Sequence, residues 1–189
     1  MYLFFDTETT GLPKNWRAPI TDSRNWPRLV QLAYLLYDDA GNKMVSGDHI
    51  VKPQNFVIPA DAAKVHGITT ERANREGEDL VQVLIEFQSL VERTDYLVAH
   101  NLSFDEKIIG AELFRNNLSD GIAFKNKICT MVQTTDFCSI PGPYGYKWPT
   151  LTELHYKLFR TGFTEAHNAI TDIAATARCF WELRRIKKI

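Results

Sequence analysis

The chain has 189 residues, 44% of them hydrophobic and 12% aromatic, which suits a single compact domain over residues 1–189 and leaves little room for a second. Lys and Arg number 22 against 23 Asp and Glu, a net charge of -1, so no global basic field favours a polyanion and any nucleic-acid partner must be argued from a site. No apolar run approaches membrane-spanning length, and no basic and apolar leader opens the sequence, so a membrane partner is not expected and the reading is cytoplasmic.

Tyr2, Leu3, Phe4 and Phe5 form an apolar run that ends in Asp6-Thr7-Glu8-Thr9-Thr10-Gly11. A short apolar run bounded by polar residues predicts a buried strand, and residues two apart on a strand share a face, so Asp6 and Glu8 point together. Two carboxylates about 4 Å apart repel by about 4 kcal/mol at an effective dielectric of 20, which calls for a compensating charge such as a hard divalent cation. Leu12 to Arg28 carries Pro13, Pro19 and Pro27 and reads as a long loop. Within it Trp16, Arg17, Arg24 and Trp26 mix aromatic and basic character. That mixture suits stacking on single strands, and equally a flap pinned by its tryptophans to its own domain. Leu29 to Tyr37, the turn at Asp38 to Asn42, and Lys43 to Val51 predict a hairpin.

Ala60 to Val65 predicts a short helix stopped by Gly67. Leu80, Val83, Leu84, Phe87 and Val91 recur at helical spacing and predict an amphipathic helix on the sheet. Tyr96 to Ala99 reads as a strand leading into His100-Asn101-Leu102-Ser103-Phe104-Asp105 and a helix with Phe104, Ile108, Ala111 and Leu118 inward. Asp105 then sits near a helix start beyond a strand's carboxyl end, where sites in α/β sheets tend to lie. Ile128 to Met131 predicts another short strand, and the Gly- and Pro-rich stretch from Pro141 to Pro149 a loop. Thr150 and Glu153 have capping-box spacing before a helix through Phe159. His167-Asn168-Ala169-Ile170-Thr171-Asp172 leads into a last helix with Ile170, Ile173, Ala174, Ala177 and Trp181 on one face and Arg184 to Lys188 at its end. Cys129, Cys138 and Cys179 lack zinc-site spacing and read as ordinary reduced thiols.

Asp6, Glu8, Asp105 and Asp172 come from three separate segments, each at the lip of a strand or the start of a helix. If they converge, one pocket holds four carboxylates, an arrangement that favours two hard cations. Such a pair, roughly 3.5 to 4 Å apart, clamps a phosphodiester and activates the attacking water, so the reaction class is phosphodiester hydrolysis. His167, five residues before Asp172, has an unperturbed pKa of about 6.5 that suits a general base.

Asp-Thr-Glu-Thr-Thr-Gly at Asp6, His-Asn-x-x-Phe-Asp at His100 and His-Asn-Ala-x-x-Asp at His167, with Val-His-Gly-Ile-Thr at Val65, stand in an order that resembles the DEDDh 3′→5′ exonucleases, the proofreading-subunit-like group. The resemblance covers nearly the whole chain and implies an α/β, ribonuclease H-like fold, a mixed five-stranded sheet flanked by helices. It further implies that Asp6, Glu8 and Asp172 hold one Mg2+ or Mn2+ ion, that Asp6 helps bridge a second, and that Asp105 orders the second through water. His167 is the implied general base. Thr9, Leu12, Val65, His66, Asn101 and Phe104 map to the positions that grip the terminal nucleotides. The partner so implied is the 3′ end of a single nucleic-acid strand, trimmed to nucleoside 5′-monophosphates, with DNA preferred and an exoribonuclease acting in RNA trimming as the alternative. A non-catalytic nucleic-acid-binding module is the remaining alternative, and a scaffold has no need of four clustered carboxylates. The loop from Pro13 to Pro27 is longer than the family's simplest members require. The short C-terminus does not indicate a polymerase partner, although one remains possible.

Overall fold

Alternation along the first strand decides how the molecule is layered. The computed structural model describes residues 1–163 and 168–189. In chain order the elements are strands β1 (Tyr2–Thr9), β2 (Leu29–Tyr37) and β3 (Lys43–Ile50), then helices α1 (Ala60–His66), α2 (Thr70–Glu76) and α3 (Leu80–Glu92). Strand β4 (Tyr96–Ala99), helix α4 (Leu102–Arg115), strand β5 (Asn126–Cys129) and the short helices α5 (Thr130–Gln133) and α6 (Thr135–Cys138) follow. The chain closes with the hairpin strands β6 (Pro141–Gly142) and β7 (Gly145–Tyr146) and helices α7 (Leu151–Phe159) and α8 (Ala169–Arg185).

The main sheet has the order β3-β2-β1-β4-β5, with β1 antiparallel to β2 and parallel to β4. It is the mixed five-stranded α/β sheet that the resemblance implies. Leu3 and Phe5 face one side, where they pack with the apolar stripes of α3 and α4. Tyr2 and Phe4 face the other side, against Ala169, Ile173, Ala177 and Phe180 of α8. Because side chains alternate with period two, Asp6 and Glu8 continue the α8 face while Thr7 continues the α4 face.

Several elements differ from expectation. The first strand runs on through its acidic residues to Thr9, because β2 pairs with it along its whole length, Asp6 opposite Ala33 and Glu8 opposite Gln31. The strand expected at Ile128 to Met131 is β5, and Thr130 instead opens a helix. Parallel pairing of Tyr96 with Asn126 sets where β5 begins, and the Thr130 hydroxyl is held by His100 Nδ1 at 3.0 Å as the chain turns away. Leu118 lies past the end of α4, and packs on the core from the connection that follows. In α8, Ala174 is exposed, whereas Cys179 and Leu183 form a second buried side with Leu154 of α7. The helix is covered by the sheet on one side and by α7 on the other. Helix α2 and the β6–β7 hairpin form where no regular element was expected.

The predicted stops and caps hold at Gly67, in the left-handed region at φ 74°, and at the Thr150–Glu153 capping box. All three cysteines are free thiols, and burial pushes Cys179 up to about 12, far from any reactive thiolate. None of the described helices is long and apolar enough to cross a membrane.

Candidate active site

The carboxyl end of β1 is where the two layers meet. From the α8 side, Asp6, Glu8 and Asp172 bring one ligand oxygen each to within 4.8 Å of one another. Two turn up on β1 because they are two residues apart on a strand. The third arrives because Asp172 lies in the first turn of α8, whose next turns are anchored on Phe4 and Val98.

Asp105 approaches from the other layer. It lies in the first turn of α4, is buried, and accepts hydrogen bonds from the Thr7 amide at 3.0 Å and the Thr7 hydroxyl at 2.7 Å. Thr7, between the two acids of β1, is thus the tether that joins Asp105 to the strand. Its role was not read from the sequence, although a hydroxyl between two acids on a strand must project to the opposite face.

The electrostatics follow from this packing. Burial, and then the charges of Asp105, Glu8 and Asp172, hold Asp6 well above the ordinary carboxyl range. Burial, followed by Asp172 and Asp105, pushes Glu8 up to about 8. Burial also raises Asp105 to about 7 against the opposing hydrogen bonds from Thr7. Every charge acting on Asp6 and Glu8 is negative, so the group disfavours its own ionised state. Hard oxygen donors at this spacing suit Mg2+ or Mn2+ better than a softer ion, and cations would relieve the repulsion. The residues fit such ions by the chemistry of the donor set.

A cavity of about 310 Å3 opens beside Asp6 and Asp172 and is lined also by His100, Thr150, Leu151, Thr152 and Phe163. Sequence reasoning quoted His100 within its motif without assigning it to the site. It bonds Thr130 and, at 3.0 Å through Nε2, the Pro149 carbonyl, and burial lowers its pKa to about 4, so it stays neutral. It fastens the segment before α7 to the cavity rim. His167 lies outside the described residues; Asn168, which follows it, stands at the N-cap position of α8.

The six expected substrate-contacting residues divide. Thr9 is buried, its hydroxyl donating to the Gly11 carbonyl at 2.7 Å. Leu12 and Val65 are exposed apolar side chains. His66 is buried beside Thr9, whose backbone partly offsets the lowering of its pKa by burial, and it lines a polar cavity of about 170 Å3 with Asn168 and Arg72. Asn101 takes the left-handed conformation, φ 71°, at the turn from β4 into α4. Phe104 is half-buried, and its ring meets Trp16 at a centroid distance of 5.7 Å.

The two tryptophans of the long loop have different roles. Trp26 is 3% exposed and donates through Nε1 to the Pro19 carbonyl at 3.0 Å. Truncating a buried ring of this kind costs about 3–5 kcal/mol, so Trp26 is a pin of the flap. Trp16 is 47% exposed, and its carbonyl accepts from Lys107 Nζ at 2.7 Å. Arg115 holds the same loop through the Ser23 and Trp26 carbonyls, and the buried Glu112 pairs with Arg28 at 2.8 Å and Arg115 at 2.9 Å where the loop enters β2.

Comparison with known proteins agrees with this fold. A family model described as an exonuclease, of the RNase T type, matches residues 3–180. A curated relative, a DNA polymerase III of PolC type from Listeria welshimeri, is 28% identical over an alignment covering 96% of this chain and 11% of its own length. Exonuclease I of E. coli in complex with a dA16 oligonucleotide shares the fold at a TM-score of 0.73, with 20% identity over 97% of this chain and 40% of its own. A zinc-bound form of the same enzyme with single-stranded DNA gives 0.74, with 21% identity over 98% and 40%. The chain therefore spans about a ninth of that curated relative and two fifths of those structures.

Proposed function

The chain belongs to the RNase T exonuclease family, and from that premise we propose that it hydrolyses phosphodiester bonds at the 3′ end of single-stranded DNA, releasing nucleoside 5′-monophosphates. The observation that carries the reading is the meeting of three carboxylates within 4.8 Å on one face of β1 with a fourth tethered from the other face. Asp6, Glu8 and Asp172 would hold one Mg2+ or Mn2+ ion, and Asp6 would share a second with Asp105 acting through water. Bound cations of this kind polarise the scissile phosphate and lower the pKa of a water molecule.

The chain's own groups supply the rest. Thr7 fixes the Asp105 carboxylate, and His100 holds the rim at Pro149. His167 would take the proton from the attacking water, work that suits an imidazole with a pKa near about 6.5. Leu12 and Val65 would meet the terminal bases, with Thr9, His66, Asn101 and Phe104 gripping the last nucleotides. DNA is favoured over RNA because the related structures were captured with DNA and the curated relative is named a DNA polymerase.

The test uses 3′-labelled and 5′-labelled single strands of DNA and of RNA, with Mg2+ and with chelator. Labelled mononucleotide should appear first from the 3′-labelled DNA strand and only with metal. Faster release from RNA would reverse the substrate assignment, and release in chelator would overturn the proposed metal dependence.

A further inference from the structure

Adjacent to the acidic cavity, on the far side of His100 and Asn101, lies a larger groove of about 590 Å3. Its walls are Trp16 from the long loop and Trp148 from the segment after β7, with Met131 and Val132 of α5 and Lys107 of α4 between them. Its lining is mainly apolar, and Lys107 is its cationic group. The walls come from the two parts of the sequence richest in turn residues, so neither wall forms by helix or strand packing.

Both tryptophans are displayed rather than buried: Trp16 is 47% and Trp148 62% exposed. Trp148 has no ring partner among the described residues, and Tyr144 and Tyr146 of the same hairpin are exposed too. A core-packing role accounts for Trp26 but not for these. Continuity gives the groove its direction. Asn101 lines it and opens the helix that carries Asp105, and Pro149, next to Trp148, is bonded to His100 of the acidic cavity. Asn101 belongs both to the proposed grip on the last nucleotides and to this groove, so a strand whose 3′ end lies at the carboxylates has a continuous path into it. Flat aromatic walls beside a single cation match the faces and the backbone charge of unpaired nucleotides.

We propose that the Trp16–Trp148 groove binds the nucleobases upstream of the 3′ terminus, so that it holds single strands several nucleotides long. The assignment rests on the 3′-exonuclease reading, and its test separates the two. The p-nitrophenyl ester of thymidine 5′-monophosphate reaches only the terminal position, whereas octathymidylate also spans the groove. Trp16→Ala, Trp148→Ala and Trp148→Phe are compared with the wild-type chain on both substrates with Mg2+.

Each alanine variant should raise KM for octathymidylate roughly 10-fold or more, with kcat and ester hydrolysis unchanged, and Trp148→Phe should stay close to wild type. Octathymidylate KM within about two-fold of wild type in both alanine variants overturns the groove while leaving the exonuclease reading intact. Equal losses on ester and octathymidylate also overturn it, since they mark a residue that supports the terminal site or the fold. A wild-type chain that hydrolyses neither substrate removes the exonuclease reading. The groove is then judged by quenching of tryptophan emission on titration with octathymidylate, and absence of quenching overturns it.

Discussion

The two ends of β1 each gather acidic side chains, and they treat them in opposite ways. At the amino-terminal end, Asp39 and Asp95 meet the Met1 ammonium at 2.8 and 2.6 Å in full view of solvent. The hydrogen bond from that ammonium, followed by its charge, holds the Asp95 carboxyl below its usual range. At the carboxyl-terminal end, Asp105 is buried, Asp6, Glu8 and Asp172 lie half-buried beside it, and the carboxyls of Asp6, Glu8 and Asp105 are pushed up. Acidic residues close together do not by themselves make a site. The direction in which their environment moves them separates a neutralised surface cluster from one that awaits cations.

The largest expected effect is on catalysis. Asp6→Asn or Glu8→Gln should abolish mononucleotide release from a 3′-labelled strand, while Asp95→Asn at the other end of the strand leaves the single-turnover rate unchanged. Loss of rate in Asp95→Asn would break the contrast. His167→Ala should lower turnover by roughly 10²- to 10⁴-fold and keep Mn2+ affinity, whereas Asp172→Asn should lose both. Calorimetric titration of the two variants decides this, and equal weakening of Mn2+ binding would make His167 a ligand or a structural post.

Stability should respond to pH with opposite sign at the two ends. Carboxyls whose pKa is higher folded than unfolded favour folding while protonated. Without metal, that contribution is full below the unfolded value of about 4 and is lost as pH rises through about 7 and 8. Glu8→Gln should therefore raise the metal-free Tm at pH 9 and change it little at pH 4, and Mg2+ should remove the wild type's loss at high pH. The depressed Asp95 behaves in reverse, contributing above its unfolded pKa and losing that contribution as the solution is acidified. Asp95→Asn should give the smallest effect, a slight drop in Tm at neutral pH that disappears in acid and in high salt. Thermal melts of both variants across pH check the two signs together.

Much of the site was legible because the strand period is strict. Spacing alone put Asp6 and Glu8 on one face, and packing decides that this face is the one under α8. The same period sends Thr7 to the opposite face, but its partner Asp105 is 98 residues away, and no local pattern measures that distance. The long helices α3, α4 and α8 were readable from their apolar stripes. The short helices α2, α5 and α6 were not: Ala73 of α2 packs with Val30 and Ile58, Thr130 at the start of α5 is bonded to His100, and Cys138 of α6 packs on Leu154. Trp16 and Trp26 illustrate the same point. The sequence left both open to stacking or pinning, and packing buries one and exposes the other.

The central claim is that side chains from both faces of one strand end serve one cation centre. The most direct measurement is a calorimetric titration of Mn2+ in the presence of thymidine 5′-monophosphate, with the wild-type chain, Glu8→Gln and Asp105→Asn. The account predicts two ions in the wild type, a lost or much weakened first ion in Glu8→Gln, and loss of the second alone in Asp105→Asn. Two ions bound with unchanged affinity in Asp105→Asn would contradict it, because the carboxylate tethered by Thr7 would then have no part in the centre.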